Sequence, residues 1–196
     1  LEAEGRLHYR NSRFADALDA YTRAAELYDL PIGRLPPLVN AASAALECAQ
    51  FERCRDLAAA GLAMATSCRS ATYAARAEWL MRSASYRAAE PLVPDLELVD
   101  AVRRLGNPDI EGLVLLLEGS IAWRVGELAL ARELCLEAAD LWRGLGHDAA
   151  RVLALLVAAQ AGEPLPGDGP DARAALVELI EGLTDPSLRC QVLALL

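Results

Sequence analysis

Lysine is absent from this chain, although 19 arginines are present. No Schiff-base lysine, lysine general base or phosphate-loop lysine is therefore available. Aromatic residues make up only 5 % of the chain, and there are two histidines, His8 and His147. Histidine catalysis needs a nucleophile and an orienting group close by, and neither histidine lies in such a motif. His8 reads as a packing or buried hydrogen-bonding residue, and His147 as a capping or solvent-exposed one. Glu133 and Glu137 fall four apart, which makes them a charged helix face. An enzyme is the class that fits least, and no cofactor or metal is expected.

The five cysteines, at 48, 54, 68, 135 and 190, form no Cys-x-x-Cys pair and are odd in number. Most sit at apolar helical positions, so buried, reduced thiols are expected, as in a cytoplasmic setting. No apolar run approaches the roughly 20 residues of a membrane span; Leu113 to Leu117 is bracketed by Glu111 and Glu118. No stretch has the form of a secretory leader. The net charge of −9 speaks against nucleic acid as the main partner, because phosphate binding needs a basic surface.

What is present is alanine and leucine, within a composition that is 54 % hydrophobic. Both are strong helix formers, and β-branched residues are few, so helix is the default. The segment from Glu118 to Ala139 reads as the end of one helix, a turn at Gly126 and a second helix folded back. Gly119 allows close approach, Ala131 and Ala138 are small where the helices meet, and Leu128 and Leu134 fill the space around them. Gly5, Phe14, Ala17 and Ala24 sit 114 residues before Gly119, Leu128, Ala131 and Ala138. A third copy places Ala42, Phe51, Cys54 and Gly61 at the same spacing. Its letters differ but its volumes agree, which is what helix packing demands.

Taken in order, helices are expected to about Asn11, over about Phe14 to Tyr28, from Pro36-Pro37 to about Ala49, and over Phe51 to Ser67. A fifth starts at Ser70. Pro91 and Pro94 interrupt its partner, so either one long helix ends near Glu90 or the return is broken. Helix resumes near Asp95 and ends at Gly106-Asn107-Pro108. Further helices are expected over Pro108 to Val125, Glu127 to Gly144, His147 to Gly162, Asp171 to Gly182, and from Asp185-Pro186 onward. The last carries Leu188, Val192, Leu193 and Leu196 on a face without a following helix. A helix already under way at Leu1, together with that open face, suggests a piece of a longer chain or a dimer contact through residues 186–196.

These spacings resemble the tetratricopeptide repeat (TPR), whose pattern runs Trp-x2-Leu-Gly-x2-Tyr, Ala-x3-Phe and Pro. Gly5-x2-His8 with Ala17-x3-Tyr21, and Gly119-x2-Ala122 with Ala131-x3-Cys135, hold those places. Phe14, Phe51 and Tyr86 stand for the aromatic before each second helix. Successive copies are 37, 35 and 42 residues apart, against about 34 in the family. The resemblance implies an all-α, right-handed α-α superhelix (a TPR-like solenoid) of about five helix pairs. Its repeats would cover about 1–33, 34–69, 70–107, 108–146 and 147–184, with a partial helix at 185–196. Such divergent repeats resemble those of multidomain bacterial signalling proteins.

In this family the first helix of each pair lines a concave groove that holds a partner. The resemblance therefore implies groove positions at Arg6, Tyr9 and Arg10; at Ser43, Leu46 and Glu47; at Glu78, Met81 and Arg82; and at Ser120, Trp123 and Arg124. Arginine recurs at one position (Arg10, Arg82, Arg124), beside Trp123 in the last copy. A guanidinium fork suits carboxylates, so an acidic or C-terminal segment of a partner protein is the expected ligand. The competing reading makes these arginines solvated helix positions paired with nearby glutamates. The family's carboxylate-binding variant uses lysine and asparagine, and here only Asn40 is near. Trp142 reads as packing, while Trp79 is ambiguous. Three roles stay open: a scaffold binding a partner in its groove, a peptide or small-ligand sensor controlling an attached effector, and a homo-oligomerisation element.

Overall fold

A computed structural model describes residues 1–161, and the described residues are all-helical. The chain forms two compact units, Leu1–Leu92 and Val93–Leu196. The first holds α1 (Glu2–Arg10), α2 (Phe14–Glu26), α3 (Pro31–Glu47), α4 (Phe51–Ser67) and α5 (Ala71–Arg87). The second holds α6 (Leu96–Leu105), α7 (Pro108–Val125), α8 (Leu128–Leu145) and α9 (Asp148–Gln160). Within each unit every helix packs on its neighbour in sequence, and α3 also meets α5, as α7 meets α9. This is a solenoid-like arrangement, with alternate helices sharing one side. The helices expected beyond Gly162, including the face at Leu188, Val192, Leu193 and Leu196, lie outside the described residues.

The repeated small residues mark the helix crossings. Gly5, Ala17, Ala24, Ala42, Cys54, Gly61, Gly119, Ala131 and Ala138 are all buried. A Cβ on Gly5 would stand 2.8 Å from the Tyr21 ring, and one on Gly119 only 2.5 Å from Cys135 Sγ. Tyr21 and Cys135 occupy the same place in the two copies. The same crossing principle seats Trp142, 1 % exposed, over Gly112, where a Cβ would come within 2.7 Å of the indole. Leu134 fills the core as expected. Leu128 does not: it is 43 % exposed, because it opens α8 before that helix has reached its partner.

Six helix ends close in one geometry. Ser12, Ala49, Arg69, Ala89, Gly126 and Gly146 have positive φ. After each, the next amide donates to the carbonyl five residues back: Arg13 to His8, Gln50 to Ala45, Ser70 to Ala65, Glu90 to Ser85, Glu127 to Ala122 and His147 to Trp142. This is the Schellman closure, which satisfies carbonyls that the helix leaves open.

The start of one helix needed adjustment. α3 begins at Pro31, not at Pro36-Pro37, and runs through both prolines. Leu30 is extended, at φ −90° and ψ 135°, as a residue before proline prefers, and Pro31 is itself suited to a first turn. The later prolines leave the carbonyls of Ile32 and Gly33 without intrahelical donors. In the third pair, α5 reaches Arg87 as one long helix, and no helix forms across the segment with Pro91 and Pro94. α6 is then capped by Asp95, whose Oδ1 accepts from the Leu98 amide at 3.0 Å. Among the described residues no helix is long and apolar enough to cross a membrane.

Candidate functional site

The first unit brings α1, α3 and α5 to one face. Tyr9, on α1, packs against the core formed by α2 to α5, and its ring meets Phe14 edge-on at 5.2 Å and 70°. Burial pushes its hydroxyl up to about 12, with Glu47 adding to the rise, while Arg76 and Arg87 oppose it. Tyr9 therefore stays a neutral donor across the physiological range. Beneath it Ser43, on α3, donates to the Val39 carbonyl at 3.2 Å. Ser43 Oγ accepts from Arg76 Nη2 at 3.4 Å. Tyr21 closes the α1 side, with its ring against Gly5. Burial raises its hydroxyl too, and Arg6, Arg76 and Arg10 pull it back. Three guanidinium groups thus bear on one phenol.

Arg6, Arg10 and Arg76 have no carboxylate within 4.0 Å among the described residues. The hydroxyls of Tyr9 and Tyr21 make no hydrogen bond to a described residue. Tyr9 is half-buried, and Tyr21 is only 3 % exposed. The two carboxylates at the border of the face are engaged: Glu2 accepts from the Tyr28 hydroxyl at 3.1 Å, and Glu47 pairs with Arg87 at 3.3 Å. Arg87 also lies over the Phe51 ring, 5.9 Å from its centre. Both of these carboxylates therefore already have donor partners.

The twelve positions implied by the resemblance separate into groups. Arg6, Tyr9 and Arg10 belong to this face, and Ser43 contributes its hydroxyl. Leu46, 3 % exposed, lies in the core and offers nothing to a partner. Glu47 is at the border. Met81 packs against the core, and Glu78 and Arg82 are half-buried and both engaged by polar partners. Ser120, Trp123 and Arg124 belong to the second unit. There Ser120 donates to the Leu116 carbonyl at 2.7 Å, Trp123 is 39 % exposed, and Arg124 is engaged. Arg82 and Arg124 are thus not equivalent to Arg10, despite the shared register.

Arg76 and the Tyr21 hydroxyl were not among the expected site residues. Arg76 stands four residues before Leu80, a fully buried core residue. An arginine on the apolar stripe of a helix must direct its head to a polar edge, and that was the available signal. Trp79 is partly buried against the core, which resolves its ambiguity toward packing. His8 is half-buried, 3.7 Å from Glu4 on the same helix. His147 precedes α9, makes no side-chain cap and lies 3.7 Å from Asp109.

A second feature of the first unit is an open cavity of about 450 Å³ lined by Phe51, Arg53, Arg55 and Glu90, among others. Its charge is balanced internally, because Arg55 and Glu90 close on each other at 2.7 Å. In the second unit Glu118 is fully buried and accepts the Asp95 amide at 2.8 Å. Cys54 and Cys135 are buried, and their thiols are pushed up by burial to about 11 and about 12. Such thiols are poor nucleophiles. Cys48 and Cys68 are half-buried at the ends of α3 and α4. Neither a protein-family model nor a curated protein matches this chain.

Proposed function

We propose that the chain is a non-catalytic protein-interaction segment of the tetratricopeptide kind, belonging to a larger intracellular signalling or regulatory protein. Its partner-binding surface is the α1–α3–α5 face of the first unit, and its ligand is an acidic segment of another protein. The observation that carries this reading is that Arg6, Arg10 and Arg76, without carboxylate partners among the described residues, all act on Tyr21, and that Arg76, held on Ser43, acts on Tyr9 as well. In a chain of net charge −9 such a grouping is a local reversal of sign. Complementary charge steers encounter and fixes which partners are tolerated. Arginine and tyrosine are also the residues most often found to anchor interfaces.

The test is selection from a degenerate decapeptide library on the immobilised 196-residue chain. Retained peptides are expected to be enriched in Asp and Glu, and the triple variant Arg6→Gln/Arg10→Gln/Arg76→Gln is expected to lose that enrichment at unchanged helicity. Retention without acidic enrichment, or equal enrichment by the triple variant, rules the reading out.

A further inference from the structure

We infer that α6 is a strap that detaches from the second unit as one piece while α7, α8 and α9 stay folded, with the buried carboxylate of Glu118 as its latch. The chain on either side of α6 is built to move. No helix lies between Arg87 and Leu96, and Val93 in that stretch is 74 % exposed. After α6 the chain turns at Gly106, with φ at 65° and open space where a side chain would stand. α6 itself has 10 residues. A helix of that length does not persist alone in water, so it is helical because it is docked. Docking buries Leu98, Val99 and Val102.

α7 does not depend on α6 for its start or for its main packing. Asn107 caps it, with Oδ1 accepting from the Ile110 amide at 3.3 Å, and Pro108 fills the first turn. Its Gly112 and Gly119 lie under Trp142 and Cys135 of α8, and α9 meets both helices. None of these contacts involves α6. The fastening of α6 is polar and is concentrated at its first turn. The Asp95 amide donates to Glu118 Oε2 at 2.8 Å, while Asp95 Oδ1 accepts from the Leu98 amide. One residue thus joins the cap of α6 to the latch on α7. Glu118 is fully buried, and a carboxylate is tolerated there when it is hydrogen-bonded. The other fastening, the fork of Arg103 on Glu137 of α8, is about one-third exposed and weakened by solvent. Val114 and Ile121 stand four residues before and three after Glu118, on the same side of α7, and both are buried. Detachment therefore uncovers an apolar strip with one carboxylate at its centre. Segments that move are drawn from the least stable part of a structure, and α6 is that part of this unit.

The experiment is native-state hydrogen exchange on the full 196-residue chain, read by mass spectrometry in urea below the unfolding midpoint. Amides from Val99 to Leu105 are expected to exchange about 100-fold faster than those from Leu115 to Ala122, with little dependence on urea, the sign of a small opening. Glu118→Gln keeps the side-chain volume and removes the charge. It is expected to speed α6 exchange about tenfold, the loss of one charge-assisted hydrogen bond, and to leave α8 unchanged. Asp95→Ala alters a residue outside the core and is expected to speed exchange several-fold in α6 alone. If α6, α7 and α8 exchange together with one urea dependence, α6 is no strap and the inference fails. If α6 opens separately but Glu118→Gln speeds α8 as much as α6, or Asp95→Ala leaves α6 unchanged, Glu118 is not its latch.

Discussion

Four helix ends in the first unit and two in the second close with the same hydrogen bonds, but the residues in the left-handed conformation differ. In the first, the left-handed position falls on Ser12, Ala49, Arg69 and Ala89; in the second it falls on Gly106, Gly126 and Gly146. A side chain in that conformation costs roughly 1–2 kcal/mol. The first unit carries this strain at every such turn, and the second carries none. Both units hold ion pairs, among them Arg55–Glu90 in the first. In the second unit Arg103 forms a fork on Glu137, at 3.0 Å from Nε and 2.5 Å from Nη2. In the first, Arg6, Arg10 and Arg76 are without carboxylates among the described residues. The first unit therefore leaves backbone energy unrelaxed at its turns, and the second does not.

The largest effect expected from breaking this comparison is in the second unit's core. Trp142→Ala empties the volume over Gly112 and should destabilise by about 4 kcal/mol. Hydrogen exchange is expected to show loss of protection in α7 and α8, with α2 to α4 unaffected. Loss spread evenly over both units would mean that they are one cooperative body. Next in size is the helix crossing. Gly119→Ala drives a Cβ toward Cys135 Sγ and the Ala131 carbonyl, at 2.5 Å and 3.2 Å, and should cost about 2 kcal/mol. Gly5→Ala meets the Tyr21 ring at 2.8 Å but lies on a short first helix that is able to shift, so about 1 kcal/mol is expected. Adding Cys135→Ala should recover part of the Gly119→Ala loss, since residues in contact do not act independently. Strict additivity in urea unfolding contradicts the crossing argument.

The turns offer the sharpest reversal of sign. Ala49→Gly and Ala89→Gly should each stabilise by about 1 kcal/mol, and Gly126→Ala should destabilise by about the same amount. One chemical exchange, made in opposite directions in the two units, then gives opposite shifts in the urea midpoint. A loss on Ala49→Gly would show that the conformation is relieved by contacts of its side chain.

Much of this organisation was legible in the letters. The 114-residue offset between Gly5 and Gly119 marks equivalent crossings, because the volume permitted at a helix contact is set by geometry and not by chemistry. The break at Pro91 and Pro94 was legible for a similar reason: proline removes a donor wherever it falls. The start of α3 was not, since Pro31 and Pro36 satisfy the same first-turn rule and only tertiary packing chooses between them. The site was half legible. Register nominated Arg6, Tyr9 and Arg10, which lie on the candidate face, but it also nominated Leu46, which the core absorbs, and Arg82 and Arg124, which have partners. Arg76 was missed because it sits two residues before Glu78, outside the repeated pattern. Its role depends on Ser43 and Tyr9, each brought to it from a different helix.

The smallest effect tests whether the charges of the two units serve different ends. Arg103 and Glu137 are both about one-third exposed, so solvent screening holds the fork below about 1 kcal/mol. Arg103→Gln should lower the urea midpoint slightly in low salt and not at all in 1 M salt. Arg6→Gln and Arg10→Gln should leave the midpoint unchanged at either salt concentration, since no carboxylate among the described residues is released by removing them. Relief of their mutual repulsion even allows a slight rise. If instead Arg6→Gln or Arg10→Gln lowers the midpoint more than Arg103→Gln does, those guanidinium groups already work within the folded unit. Their charge would then not be held in reserve for a partner, and the α1–α3–α5 face would lose the property that distinguishes it from any other polar helix surface.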